Sequence, residues 1–274
     1  MMGKSISIHS SRGGTGKTLL ATNLAMLYAQ SGLNIALIDL DFRAPSLMGV
    51  FSKLLRKPVE CFLNSYLDGR CSVDSLMVDM SNSYPLKGKL FVGFSNPDIT
   101  AIRNTAERSR SWEVTSVKRL FALRSKLFNE MKIDYCFYDT SPGIQYTSIN
   151  AIVTSDLSIV VTTLDSLDLD GTKNMVAEIY DAFERKTMLL LNKVFPQGCS
   201  LSNEERSKTI SQIEDAFNRP VLGAIPCYCD VLEADRSKLL AIEQPNHPFI
   251  KNLEKIKEKI ESLASSEKPS AKIQ

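Results

Sequence analysis

Apolar residues along this chain fall into two alternating kinds of segment. Short, nearly continuous apolar runs occur at Ser5–His9, Asn34–Leu40, Lys89–Phe94, Asp134–Asp139, Leu157–Thr163, Thr187–Asn192 and Pro220–Ile225. Stretches such as "SIVV" and "MLLL" leave no polar face. Strands buried on both sides read this way, because helices cover both faces of a parallel sheet. Between the runs lie segments with helical spacing: Thr18–Ser31, Glu113–Met131, Thr172–Arg185 and Phe249–Ala264. The last places Phe249, Leu253, Ile256, Ile260 and Leu263 on one stripe, the mark of a helix packed on a core. The alternation predicts a single doubly wound α/β domain, its mostly parallel central sheet flanked by helices on both faces. The stretch from Pro45 to Pro85 is less regular, with helical parts expected. The chain ends in the polar "SSEKPSAKIQ", so the domain is placed at residues 1–264 and a flexible polar tail at 265–274.

Composition narrows the picture only a little. The chain has 274 residues, 43% of them hydrophobic, enough for one sizeable core. Thirty-three basic residues face 31 acidic ones, a formal charge of +2, so no whole-molecule field steers it to nucleic acid or anionic membrane. The six cysteines, at 61, 71, 136, 199, 227 and 229, are too sparse for a disulfide framework, and reduced thiols are the expectation. The start "MMGKSISIHSS" has no signal-peptide core, and no run reaches the roughly 18 apolar residues of a membrane span. A soluble, cytoplasmic protein is expected.

The chemistry begins in "HSSRGGTGKT", residues 9–18. An apolar run feeds Gly13, Gly14, Thr15, Gly16, Lys17 and Thr18, and the helix-forming "LLATNLAMLYA" follows. Glycines let backbone N–H groups curl around phosphate oxygens with no Cβ in the way. The helix N-terminus adds a partial positive charge. In such a loop the lysine reaches the β and γ phosphates and the Thr18 hydroxyl ligates Mg²⁺. The strict pattern asks for glycine at position 11, where this chain has Ser11.

Two further segments bring carboxylates. "LIDLDFRAPSL" is a strand ending in Asp39 and Asp41, whose side chains share one side if the chain stays extended. Beside a triphosphate, one can hold the metal shell and the other position the attacking water. "YCFYDTSPG" is a strand ending in Asp139, followed by a Ser-Pro-Gly turn suited to a second metal-shell aspartate and a mobile loop.

Together these residues resemble the ParA/MinD group of P-loop ATPases, the deviant Walker A group of the SIMIBI class. The group's pattern is Lys-Gly-Gly-x-Gly-Lys-Thr, then an Asp-x-Asp strand end, then Asp-x-x-x-Gly. Here these are Arg12–Thr18, Asp39–Asp41 and Asp139–Gly143, with Asp41 falling 24 residues after Lys17 (41 − 17). "LLLNKV" resembles the strand whose asparagine reads adenine, which gives that role to Asn192. "LGAIPCYCDVLEAD" resembles the stretch whose backbone borders the base near Pro226. The resemblance implies ATP and Mg²⁺ as cofactors, with Gly13 to Leu19 around the phosphates. It implies Thr18, Asp41 and Asp139 at the metal, Asp41 orienting water, and Asp39 as a supporting carboxylate. It also implies an ATP-dependent homodimer with slow hydrolysis, stimulated by a partner protein and used as a switch for intracellular positioning or partitioning.

Two departures stand out. The group's first lysine, which crosses the dimer interface to the partner's nucleotide, is here Arg12. Arginine keeps the charge and offers a planar fork to phosphate oxygens, so Arg12 joins Lys17 and Asp41 as a candidate catalytic residue. "CYC" at Cys227–Cys229 stands where relatives have Tyr and Asp. Two thiols at that spacing fit a soft metal if a dimer supplies four, or are incidental beside the base pocket. This leaves two alternatives to the positioning switch: a metal-loading ATPase, and an ATP-dependent synthetase of the same fold, a class that lacks a cation at position 12. The stretch Arg103–Lys126 holds seven basic and two acidic residues, a candidate face for non-specific DNA or an ordinary solvated helix. The apolar stripe of the last helix lies within the domain, so packing on the sheet is expected and membrane anchoring is not.

Overall fold

The computed structural model describes residues 3–195, 202–234 and 239–266. Cys199 and residues 267–274 lie outside the described residues. Among the described residues eight strands form one sheet: β1 (Lys4–His9), β2 (Asn34–Leu40), β3 (Met77–Asp79), β4 (Lys89–Gly93), β5 (Tyr135–Thr140), β6 (Leu157–Thr162), β7 (Thr187–Val194) and β8 (Val221–Pro226). Their order is β3-β4-β2-β5-β1-β6-β7-β8. Only β3 runs antiparallel, against β4 at the sheet's edge.

The strands are buried because both faces are covered. Along β2 and β5 the side chains alternate. Ile35, Leu37, Tyr135 and Phe137 enter one core with the Lys17–Gln30 and Pro248–Ser266 helices. Ala36, Ile38, Cys136 and Tyr138 enter another with Leu120, Leu123 and Leu127 of the Arg110–Asn129 helix. A third core joins Val160, Leu189 and Leu191 to Val176, Ile179 and Phe217. The Lys17–Gln30 helix is buried on nearly every side, since it lies between the sheet and the C-terminal helix. This explains why "LLATNLAMLYA" has no polar face. Phe249, Leu253, Ile256 and Ile260 of the predicted stripe are buried in the same core together with Ile250, and Leu263 packs partly buried against it.

Several elements differ from expectation. The helix expected at Thr172–Arg185 starts earlier, at Ser166, because Asp165 caps it by accepting from the Asp168 amide at 3.1 Å; it then widens into a π-turn at Val176–Tyr180. Helices at Ile99–Ala106, Tyr146–Thr154 and Asn203–Phe217 lie outside the predicted set. The expectation of reduced thiols is corrected at one pair: Cys61 and Cys71 form a disulfide, with Cα atoms 6.4 Å apart. The short Leu63–Leu67 helix and the turn after it fold residue 71 back beside residue 61, inside the range a disulfide spans. Cys136, Cys227 and Cys229 are free.

The winding reverses at β1. From β1 the chain crosses to β2, runs to the edge at β3, comes back to place β4 beside β2, returns to lay β5 between β2 and β1, then adds β6, β7 and β8 on the other side. Such a reversal opens a crevice at the carboxyl ends of the strands, where ligands of open α/β sheets bind. The loops after β1, β2, β5 and β7 all emerge there.

Candidate nucleotide-binding site

The loop after β1 closes on Gly16, the residue before the Lys17–Gln30 helix, at φ 96°. Among the described residues no side chain caps that helix, so its first-turn N–H groups face the crevice without a side-chain acceptor. Gly14 is also left-handed, at φ 80°. A Cβ on Gly16 would sit 2.5 Å from the Asn192 amide nitrogen, so a side chain there must displace Asn192 and adopt a left-handed backbone.

Lys17 is buried and donates from Nζ to Ser10 Oγ at 2.9 Å. Burial lowers its pKa, while the nearby Asp139, Asp41 and Asp168 carboxylates pull it back up. Ser10 Oγ in turn donates to the Arg12 carbonyl at 2.5 Å. The loop thus holds its own lysine inward, at the place where phosphate oxygens would take over from the serine.

Three carboxylates converge from two adjacent strands. Asp39 of β2 and Asp139 of β5 are register partners. Asp139 is fully buried. Its Oδ2 accepts from Thr18 Oγ1 at 2.7 Å, while its Oδ1 is buried with no hydrogen-bond partner among the described residues. Burial raises its pKa to about 7 against the opposing pulls of the Thr18 hydroxyl and Lys17, and the Asp41 charge adds to the rise. Asp39 is likewise pushed well above the usual carboxylate range by burial and by Asp139.

Asp39 and Asp41 do not project side by side as an extended chain would place them. β2 ends at Leu40, and Asp39 turns its carboxylate onto the loop backbone. Oδ1 accepts from the Asp41 amide at 3.0 Å and Oδ2 from the Ser46 and Leu47 amides at 3.2 Å each. Asp39 therefore organises the loop. Asp41 sits at its turn, where Oδ1 accepts from the amides of Arg43 and Ala44 and from Ser141 Oγ at 2.8 Å. The last bond ties the loop after β2 to the loop after β5.

From β7, Asn192 Nδ2 donates to the Thr15 carbonyl at 2.7 Å, and Lys193 Nζ to the Gly14 carbonyl at 2.7 Å. Asn192 thus lies against the glycine loop. Pro226, at the end of β8, pairs with Val194, and Leu19 packs its side chain against the core. Arg12 stands at the mouth with its side chain 51% exposed and Nη1 4.0 Å from Asp165 Oδ1.

Several residues at the site escaped the sequence reading. Ser46 Oγ lies 3.1 Å from Thr18 Oγ1. Ser11, in place of the expected glycine, bonds Asp168 Oδ1 and Thr172 Oγ1 at 2.9 Å each. His9 is fully buried: Nδ1 lies 2.6 Å from the Tyr180 hydroxyl and Nε2 2.9 Å from the Gly143 carbonyl. The Gly143 amide also donates to the Ser10 carbonyl at 2.8 Å. The signal for Ser46 was present, a serine opening a helical turn seven residues after Asp39. Nothing local marks the partners of His9.

A family model described as the CobQ/CobB/MinD/ParA nucleotide binding domain matches residues 6–241. The chain belongs to that family. It is 23% identical over 228 residues to the septum site-determining protein MinD of Synechocystis, covering 82% of this chain and 76% of the relative. In fold it is similar to the cell division ATPase MinD of Pyrococcus furiosus, with a TM-score of 0.72 at 22% identity, covering 96% of this chain and all of that one. It is also similar to MinD of Pyrococcus horikoshii, solved with Mg-ADP, with a TM-score of 0.71 at 20% identity, covering 98% of this chain and all of that one. A CobQ/CobB/MinD/ParA family domain therefore carries the glycine loop and its carboxylates at the carboxyl edge of the sheet.

The other candidate surfaces fare differently. In the Arg103–Lys126 stretch, Arg108 pairs with Asp68, Arg119 donates to the Tyr66 carbonyl, Arg124 pairs with Asp156 and Lys126 with Asp74. Four of its seven cations are thus engaged within the fold. Cys227 is half-buried and Cys229 exposed. Among the described residues no His, Cys, Asp or Glu joins Cys227 and Cys229 in a group of three or more that could hold a metal ion, and no helix is long and apolar enough to cross a membrane.

Proposed function

We propose that this chain is an ATP-operated switch. It binds Mg-ATP at the glycine loop, closes face to face with a second copy, and reopens on slow, partner-stimulated hydrolysis. The observation that carries the reading is Asp139 Oδ1, a buried carboxylate oxygen with no protein partner beside the Thr18 hydroxyl. Buried polar atoms left alone are costly, and an all-oxygen set of Thr18, Asp41 and Asp139 suits Mg²⁺. When bound there, the ion supplies neutralisation of the phosphate charge.

The roles of this chain's own residues follow. Gly13 to Leu19 offer backbone N–H groups to the phosphates. Lys17 leaves Ser10 for the β and γ oxygens. Asp41, held through Ser141 to the loop after β5, orients the attacking water. Asn192 and the backbone at Pro226 border the adenine. Arg12, half-exposed at the mouth beside Asp165, reaches the phosphates of the second copy.

The cell-division roles in the relatives' names support a positioning or partitioning role in the cytoplasm. Calorimetry on purified protein tests the nucleotide site. Mg-ATP binds wild type, Lys17→Ala abolishes that binding and Asp139→Asn weakens it; a wild type that binds no ATP overturns the reading.

A further inference from the structure

Cys61 and Cys71 close a ring around the Leu63–Leu67 helix. Gly69, at φ 79°, makes the return turn; its amide donates to the Tyr66 carbonyl at 2.9 Å, and the Arg70 amide to the Ser65 carbonyl at 2.9 Å. Cys61 is buried, and Cys71 reaches the surface in part.

The ring is a junction between three elements. The Leu63 amide donates to the Phe94 carbonyl at 2.7 Å, at the end of β4. The next residue, Ser95, donates from Oγ to the Asp39 carbonyl at 2.7 Å. Asn64 accepts from the Asn96 amide and donates to Thr105 Oγ1, both at 2.9 Å, fixing the Ile99–Ala106 helix. Asp68 accepts from Trp112 Nε1 at 2.7 Å and from Arg108 at 2.6 Å, fixing the start of the Arg110–Asn129 helix. The other described thiols differ: Cys136 is buried with its pKa pushed up to about 12 by burial, and Cys227 and Cys229 have no disulfide partner.

We propose that Cys61 and Cys71 are a reversible dithiol–disulfide site that takes small disulfides and dithiols as exchange partners and sets how firmly Trp112 and its helix are held. In the oxidising direction the Cys71 thiolate, the accessible sulfur, attacks one sulfur of a small disulfide. That S–S bond breaks, one thiolate leaves, and a mixed disulfide remains on Cys71. The Cys61 sulfur attacks Cys71 Sγ, the intramolecular S–S bond forms, and the second small thiolate leaves. The two protons given up by the cysteines end on the two released thiols, so the protein loses two electrons and the small disulfide gains them.

Trp112 is the chain's single tryptophan and bonds Asp68 within the ring, so its emission, read without nucleotide, follows the ring's state. The full chain is equilibrated in glutathione buffers of graded ratio, then alkylated and weighed, with emission and acrylamide quenching read in parallel. The expected result is that two alkylatable thiols vanish together on oxidation. Reduction red-shifts Trp112 and raises its quenching about twofold, and Cys61→Ser stops at a glutathione adduct on Cys71. A Cys61→Ala/Cys71→Ala variant with unchanged far-UV dichroism matches reduced wild type. A pair that stays reduced in every buffer, a bond that survives excess dithiothreitol in the native state, or Trp112 emission identical in both forms overturns the proposal.

Discussion

Thr18 and Asp139, 121 residues apart in sequence, meet through a 2.7 Å hydrogen bond that uses one carboxylate oxygen and leaves the other buried and unpartnered. The strand register produces this meeting: β5 lies between β1 and β2, so Asp139 rises beside the glycine loop and opposite Asp39. If the free oxygen is a metal position, Asp139→Asn lowers Mg²⁺-dependent nucleotide affinity about 10- to 100-fold. Titrations of Mg-ATP and of ATP with a chelator separate the effects: chelation weakens wild type and leaves the variant unchanged.

Gly14 and Gly16 are both left-handed, and their surroundings differ. A Cβ on Gly14 meets nothing within 4 Å, while one on Gly16 meets Asn192 at 2.5 Å. Gly16→Ala is expected to cost about 3 kcal/mol of stability and Gly14→Ala about 1 kcal/mol. Urea midpoints at constant slope check the order.

His9 joins the end of β1 to Gly143 and Tyr180. Burial is the main cause that lowers its pKa from 6.5 to about 4, so the ring is neutral in the fold. The neutral ring donates from Nε2 to Gly143 and accepts at Nδ1 from Tyr180, an assignment inferred from the partners. Between about pH 6.5 and 4 the unfolded chain takes up a proton that the folded chain refuses, so this contribution to stability is lost as pH falls through that window. His9→Gln, which has no titrating ring, is expected to give a shallower loss of melting temperature over that range. Parallel slopes for the two proteins would contradict the assignment.

Arg12 is half-exposed and 4.0 Å from Asp165, a geometry that contributes little to the monomer. Arg12→Ala is expected to shift monomer stability by less than about 0.5 kcal/mol. It is also expected to slow ATP hydrolysis about tenfold or more, with Arg12→Lys recovering most of the rate. Steady-state phosphate release checks this; an unchanged rate in Arg12→Ala removes the cross-dimer role.

The sequence carried the sheet and the phosphate loop because both are local. Seven strands read as apolar runs, and the glycines, Lys17 and Thr18 are contiguous. β3 was missed because three residues on an edge carry too short a pattern. The Asn203–Phe217 helix was legible in principle, since Ser202 and Glu205 form a capping box at its start. The inward turn of Asp39 could not be read, because it depends on β2 ending at Leu40. The partners of His9, Ser11 and Ser46 depend on loops that only the strand order brings together. The bond between Cys61 and Cys71 depends on a turn that the irregular stretch between Pro45 and Pro85 did not announce.

The central claim is that nucleotide closes two copies over the site built on Lys17, Asp41 and Asp139. Size-exclusion chromatography with light scattering on Asp41→Ala, which is expected to block turnover and is first checked against wild type by far-UV dichroism, tests it with and without Mg-ATP. The account predicts a monomer alone and a stable species of twice that mass with Mg-ATP, lost again in Asp41→Ala/Arg12→Ala. A monomer under both conditions, at nucleotide concentrations that saturate binding, would contradict it.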